Sequence, residues 1–346
     1  MQGDPQWIPE FYEAVRYEVL AAGAVDHAHV LTWRGRLHDL RTNLGRHPDE
    51  SVSTQEQHAL RDLLGTADVF LWLPGVMDPV GCSAGYSEAV LANWPGRGLH
   101  FHWFNDWYLA PTDPLQRALA EAMERAILDL DYESHAATQQ RLLAAVRGKL
   151  LHMTTPEGTN VRMQLQGDGW YHVNDGRVTP EKQRAASCAR DREEELPCGA
   201  VRTIPVIESV HGVVRYRTAG RAFGSVGYRL KEYAEDMTIE IQQGKIVRTS
   251  AGARDASWQT FWGRQTGSSN EVTELVFGTN PFLMEIPGVP MLPYWGFGEG
   301  YVRLHTGSNT ESGGDRVGSL SLELWLRDAT VTADGHEVIV KGRLVV

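Results

Sequence analysis

The chain has 346 residues, 42% of them hydrophobic, with 11 tryptophans and a formal charge of −11, enough for two domains of ordinary size with substantial cores. An acidic balance without basic runs sets aside phosphate backbones and anionic membrane surfaces as expected partners, so no nucleic acid and no membrane are anticipated. The start, MQGDPQWIPEFYEAVRYEVL, lacks a basic segment followed by an apolar core, and Cys82, Cys188 and Cys198 form no metal-binding spacing; the expectation is a cytoplasmic protein with reduced thiols.

In the first 150 or so residues, helical and strand-like patterns alternate. PEFYEAVRYEVLAAGA carries apolar residues at helical spacing and ends near Gly23, and AHVLTW follows as a short buried strand. TQEQHALRDLLGTADVFLWLPG reads as a helix, a turn at Gly65 and a strand stopped by Pro74-Gly75, and GLHFHWFNDWYLAP supplies another apolar, aromatic run. Such alternation points to a parallel α/β layer. Two helices come next, PLQRALAEAMERAILDLD opening at Pro114 and YESHAATQQRLLAAVRG stopping at Gly148, and they read as a link between domains.

Beyond residue 150 the texture changes to short alternating strands broken by PEG, GDG and NDG turns. MTIEIQQGKIVRTSAG and ATVTADGHEVIVKGRLVV repeat the hairpin style, whereas RAASCARDREEELPCG reads as a charged, solvated loop. The expected fold is an α/β N-terminal domain, residues 1–150, ending in a helical link, followed by a β-rich α+β C-terminal domain, residues 151–346.

Four phrases of the second half, in order, resemble the thermophilic metallo-aminopeptidases of the aminopeptidase T and S group: TTPEGTNVRMQL, ELPCGAVRTIPVIESVHGVV, TELVFGTNP and EGYVRLHTGSN with LRDATVTADG. The iron-dependent dihydroxypyridine dioxygenases share this fold and much of the pattern. The resemblance implies an aminopeptidase T-like second domain carrying a former metal-site cleft, and a homodimer. In the peptidases two metal ions held by carboxylates and imidazoles polarise a carbonyl and acidify a bridging water. Carried over position by position, the family's first glutamate is Ala200, its second survives as Glu274, its first histidine is Arg303, and its final histidine and aspartate fall on Ser321 and Glu323. Arginine offers donors and no acceptor, so the degenerate ligand positions Ala200 and Ser321 leave a dinuclear hydrolytic centre as the least favoured reading, and no cofactor is expected.

On a strand, His305 shares a face with Arg303 and would complete a mononuclear iron oxygenase site with Glu274 and Glu323. Otherwise Arg303 either neutralises Glu274 in a salt bridge or grips a carboxylate or peptide carbonyl, with Glu274, Arg303 and Glu323 as the catalytic candidates. His305, Glu299, His211, Tyr294 and Trp295 are the candidates for substrate binding. Cys198, two residues before Ala200, is a lesser nucleophile candidate for which the sequence places no histidine base. The leading functional expectation is a metal-free, non-hydrolytic protein that cyclises or isomerises a peptide backbone in natural-product maturation. The alternative is a catalytically silent protein that presents a peptide or amino-acid-like substrate to partner biosynthetic enzymes.

Overall fold

The computed structural model describes residues 2–3, 9–26, 30–31, 62, 64–73, 94–101, 114–216, 222–224, 236–286 and 296–346. The chain divides into two compact units, Met1–Trp103 with Gly176–Pro197, and Phe104–Asp175 with Cys198–Val346. Thus both helices after residue 113, Pro114–Leu128 and Tyr132–Val146, belong with the second unit, and a segment after residue 175 returns to the first.

The first unit is built on a five-stranded sheet in the order Val30–Leu31, Gln2–Gly3, Val69–Trp72, Arg97–Phe101, Glu193–Leu196. Every neighbouring pair is parallel, as the alternating pattern predicts. Its last strand overturns one reading: the EEEL of the supposed solvated loop is a buried strand. Three consecutive buried glutamates are tolerable because each has a partner. The Nδ1 of His100 lies 2.7 Å from Glu193 Oε1, Arg190 Nη1 lies 3.4 Å from Glu195 Oε1, and Lys182 pairs with Glu194. Burial alone would push the Glu193 carboxyl up; the hydrogen bond and charge of His100 with the charge of Arg190 outweigh that and hold it below the usual range.

The second unit contains two antiparallel sheets. An eight-stranded sheet runs Lys245–Ala251, Met237–Gln242, His211–Arg215, Asn160–Gln164, Leu150–Thr154, Thr330–Ala333, His336–Val340, Arg343–Leu344. Three of its hairpins close through two residues with positive φ at both: Gln243–Gly244 (50° and 77°), Asp334–Gly335 (49° and 86°) and Lys341–Gly342 (48° and 74°). That is the turn whose twist matches paired strands, and it explains why QG, DG and KG recur at hairpin tips.

The six-stranded sheet carries the site. Its strands are β1 (Tyr171–Asn174), β2 (Ala200–Thr203), β3 (Ala222–Gly224), β4 (Val272–Gly278), β5 (Val302–Thr306) and β6 (Leu322–Leu326), in the order β3-β6-β5-β4-β2-β1. Because side chains alternate along a strand, one face collects Val201, Leu275, Phe277, Val302, Leu304, Leu322, Leu324 and Leu326. All of these lie in one buried core with Met153, Val161, Met163, Ile239 and Val331 of the eight-stranded sheet and Leu142 and Val146 of the second helix. Each such side chain contributes about 1.5–3 kcal/mol on burial. The opposite face is where the polar residues stand.

The helix Tyr132–Val146 is fixed at its start by Asp131, whose Oδ1 accepts from the backbone N–H groups of Glu133 and Ser134, both at 3.1 Å. Asp131→Ala should therefore cost about 1 kcal/mol of stability, measurable as a shift in the urea midpoint.

Candidate functional site

Strand register determines which side chains meet. Glu274 of β4 lies opposite His305 of β5, Val276 opposite both Arg303 and Arg202, and on β6 Glu323 lies opposite His305 and Trp325 opposite Arg303. All sit on the polar face, so Arg202, Glu274, Arg303, His305 and Glu323 converge. Arg303 bridges two carboxylates: its Nη2 is 3.6 Å from Glu274 Oε1 and its Nη1 3.3 Å from Glu323 Oε1. Arg202 Nη1 reaches Glu274 Oε1 at 3.8 Å while its guanidinium lies over the Phe297 ring, 5.0 Å from the centroid. The other oxygen of Glu274 accepts a hydrogen bond from the Ser312 hydroxyl at 2.5 Å. Two cations and two anions thus offset one another in a largely dry setting.

Burial works to raise the Glu274 carboxyl, but the attraction of Arg202, of His305 when it carries a proton, and of Arg303, with the bond from Ser312, prevails and holds it below the ordinary carboxylate range. Glu274 is ionised at neutral pH. A folded value below the unfolded one, about 4.3, means that its stabilising contribution is complete above that pH and is lost as pH falls through the lower folded value. Denaturation curves taken below about pH 4 should therefore show an extra loss of stability that Glu274→Gln lacks.

The other sequence candidates are distributed as follows. Ala200 packs in a small apolar cluster with Met123, Ala126, Val276, Leu283 and Phe297. Ser321 lies just before β6 and accepts a hydrogen bond from the Ser308 backbone N–H at 3.3 Å. Glu299 is exposed in a turn. His211 is exposed on the eight-stranded sheet, where its Nδ1 accepts from the Gln243 N–H at 3.3 Å, so it is not among the converging groups. Tyr294 and Trp295 lie outside the described residues. Arg202 went unread in the sequence although it stands two residues after Ala200, the spacing that returns a strand to the same face.

A second polar cluster in this unit also escaped the sequence reading. Cys198 is fully buried, with its Sγ 3.8 Å from His135 Nδ1. His135 Nε2 lies 2.9 Å from Thr279 Oγ1, which accepts from Gln139 Nε2 at 3.0 Å. Asn280 Nδ2 donates to the Cys198 carbonyl at 2.8 Å. A histidine therefore does face the thiol. Burial lowers the imidazole to about 4, against opposing influences from Asp175 and Thr279, so it is neutral at pH 7.

The donor set does not fit the two-metal centre that the sequence resemblance implies. Ala200 offers no donor atom, Ser321 only a hydroxyl, and the Arg303 guanidinium stands beside both surviving carboxylates. Among the described residues, no group of three or more His, Cys, Asp or Glu side chains is arranged to hold a metal ion. No helix of the described residues is long and apolar enough to cross a membrane.

No family model and no curated protein sequence matches the chain. Solved structures do. AmpT from Thermus thermophilus is similar over 100% of this chain and 93% of its own, with a TM-score of 0.63 at 16% identity. The 2,5-dihydroxypyridine dioxygenase from Pseudomonas putida KT2440 is similar over 84% of this chain and 75% of its own, with a TM-score of 0.57 at 18% identity. The fold is thus the aminopeptidase T-like one expected, shared by a mixed α/β chain with several sheets.

Proposed function

We propose that this chain is a non-hydrolytic, peptide-directed protein of the aminopeptidase T-like fold that rearranges a peptide backbone, by cyclisation or isomerisation, without a metal ion. The observation that carries this reading is the Arg303 guanidinium set between Glu274 and Glu323. A fixed cation supplies positive charge to a bound carbonyl oxygen but has no open coordination place, so it gives no activated water. Drawing that oxygen toward a guanidinium acidifies the neighbouring N–H or C–H of the peptide. Under this reading Glu274, beside Arg303, takes the proton. We extend the reading to the maturation of peptide natural products, where such a rearrangement is the chemistry required.

One observation favours a second reading, a catalytically silent protein that binds a peptide for partner enzymes. Glu274 is deeply buried and held well ionised, which makes it a weak proton acceptor. The two readings separate in one experiment on protein purified without chelator. Incubated with a library of peptides with free termini and followed by mass spectrometry, a rearranging enzyme yields products that keep the mass of the substrate or lose one water, and Glu274→Gln abolishes them. A silent binder yields none, and Glu274→Gln retains peptide affinity. Near-stoichiometric zinc or iron in the purified protein, with release of N-terminal amino acids or consumption of oxygen, would sink both readings.

A further inference from the structure

Two acceptor atoms at the rim of the charged cluster have no hydrogen-bond partner among the described residues: Nδ1 of His305 and Oε2 of Glu323. Both belong to residues paired across β5 and β6. The tautomer of His305 follows from its other nitrogen, because Nε2 lies 3.1 Å from the Ser308 carbonyl oxygen, which can only accept. In the neutral imidazole Nε2 therefore carries the hydrogen, and Nδ1 presents a lone pair toward Glu323, 4.0 Å from its Oε1. That Oε1 is already engaged by Arg303 at 3.3 Å, which leaves Oε2 as the open oxygen. Buried acceptors without donors are costly and rare in folded proteins, and two side by side mark a place completed by something else.

We infer that His305 Nδ1 and Glu323 Oε2 together receive a neutral primary carboxamide of the ligand, one N–H to each acceptor. This rests on the peptide-directed reading given above and narrows it. The charge count selects the ligand class. Arg202 and Arg303 already balance Glu274 and Glu323, so an ammonium group or a metal ion would bring uncompensated positive charge beside Arg303. A carboxylate would meet two lone pairs. A carboxamide supplies two hydrogens from one atom and no net charge. The position is also the outermost of the cluster: the His305 and Glu323 side chains are 17% and 12% exposed, against 4% and 7% for Arg303 and Glu274. Sites that hydrogen-bond a polar group reject analogues lacking it far more strongly than apolar pockets reject a missing methylene.

The test uses the full chain and N-acetyl tripeptide pools made in two forms, C-terminal amide and C-terminal methyl ester, with binding read by native mass spectrometry and calorimetry. The amide pool should bind at least tenfold more tightly. His305→Phe should erase that preference. Glu323→Gln, which turns an acceptor into a donor in one orientation, should also lose it. Equal binding of amides and esters overturns the assignment and leaves the peptide reading standing. Tighter binding of an unacetylated ester pool, or of zinc, overturns it in favour of a cation at this place. Binding of neither tripeptide form sinks the inference and the peptide reading together.

Discussion

Replacing Arg303 by methionine should lower the unfolding free energy by about 3–5 kcal/mol, the usual cost of removing one member of a buried ion pair. The substitution keeps most of the side-chain volume but leaves Glu323 without its closest cation and Glu274 with Arg202 alone. Both carboxylates are then charged in surroundings that solvate them poorly. Combining Arg303→Met with Glu323→Gln should recover part of the loss, because the one remaining anion, Glu274, keeps Arg202 and Ser312. Urea denaturation of the three proteins at pH 7 gives the comparison. A loss below about 1 kcal/mol for the single variant would mean that these charges are solvated and do not form a compensated cluster.

The second large effect is a pH dependence centred on His135. Its folded value of about 4 lies below the unfolded value of about 6.5. Between those limits the unfolded chain binds the proton and the native protein does not, so stability rises with pH over that interval. The contribution is complete above the unfolded value and is lost as pH falls toward the folded one, amounting to about 3 kcal/mol in total. The comparison that isolates it is wild type against His135→Leu: the stability difference between them should shrink by roughly that amount from pH 7 to pH 4. A difference constant across the interval would show that the imidazole is protonated, or exposed to water, in the native state.

Much of the second unit was legible because its strands obey a period of two. VRLHT places Arg303 and His305 on one side and Val302 and Leu304 on the other, and LELWL does the same for Glu323 and Trp325. The hairpin tips were readable from glycine after a residue able to take positive φ. Where reading failed, a local rule had been applied without its partner. EEEL looked solvated because three charges are costly to bury, and the compensation comes from His100, Lys182 and Arg190, the first of them far away in sequence. Arg202 lies on the same period, two residues beyond Ala200 on one strand, so the pattern does reach it. His135 and Gln139 did leave a signal: with Leu142 and Val146 they form one helical face, all of it buried, so two polar residues stood where only apolar ones would need no partners. Their partners, Thr279, Asn174 and Cys198, come from β-rich sequence that no local pattern ties to that helix.

The six-stranded sheet has two sides that answer to different demands. One is pressed into a continuous apolar core, and the other holds the arginines, carboxylates and imidazole. Neighbouring positions on the same strand are therefore nearly independent genetic loci: Glu274 can change identity while Leu275 beside it stays under constraint from packing. A lineage can thus exchange the chemistry of this surface, each carboxylate together with the cation that pairs it, while the apolar side keeps its own packing. Such drift is consistent with a shared architecture persisting at 16% identity.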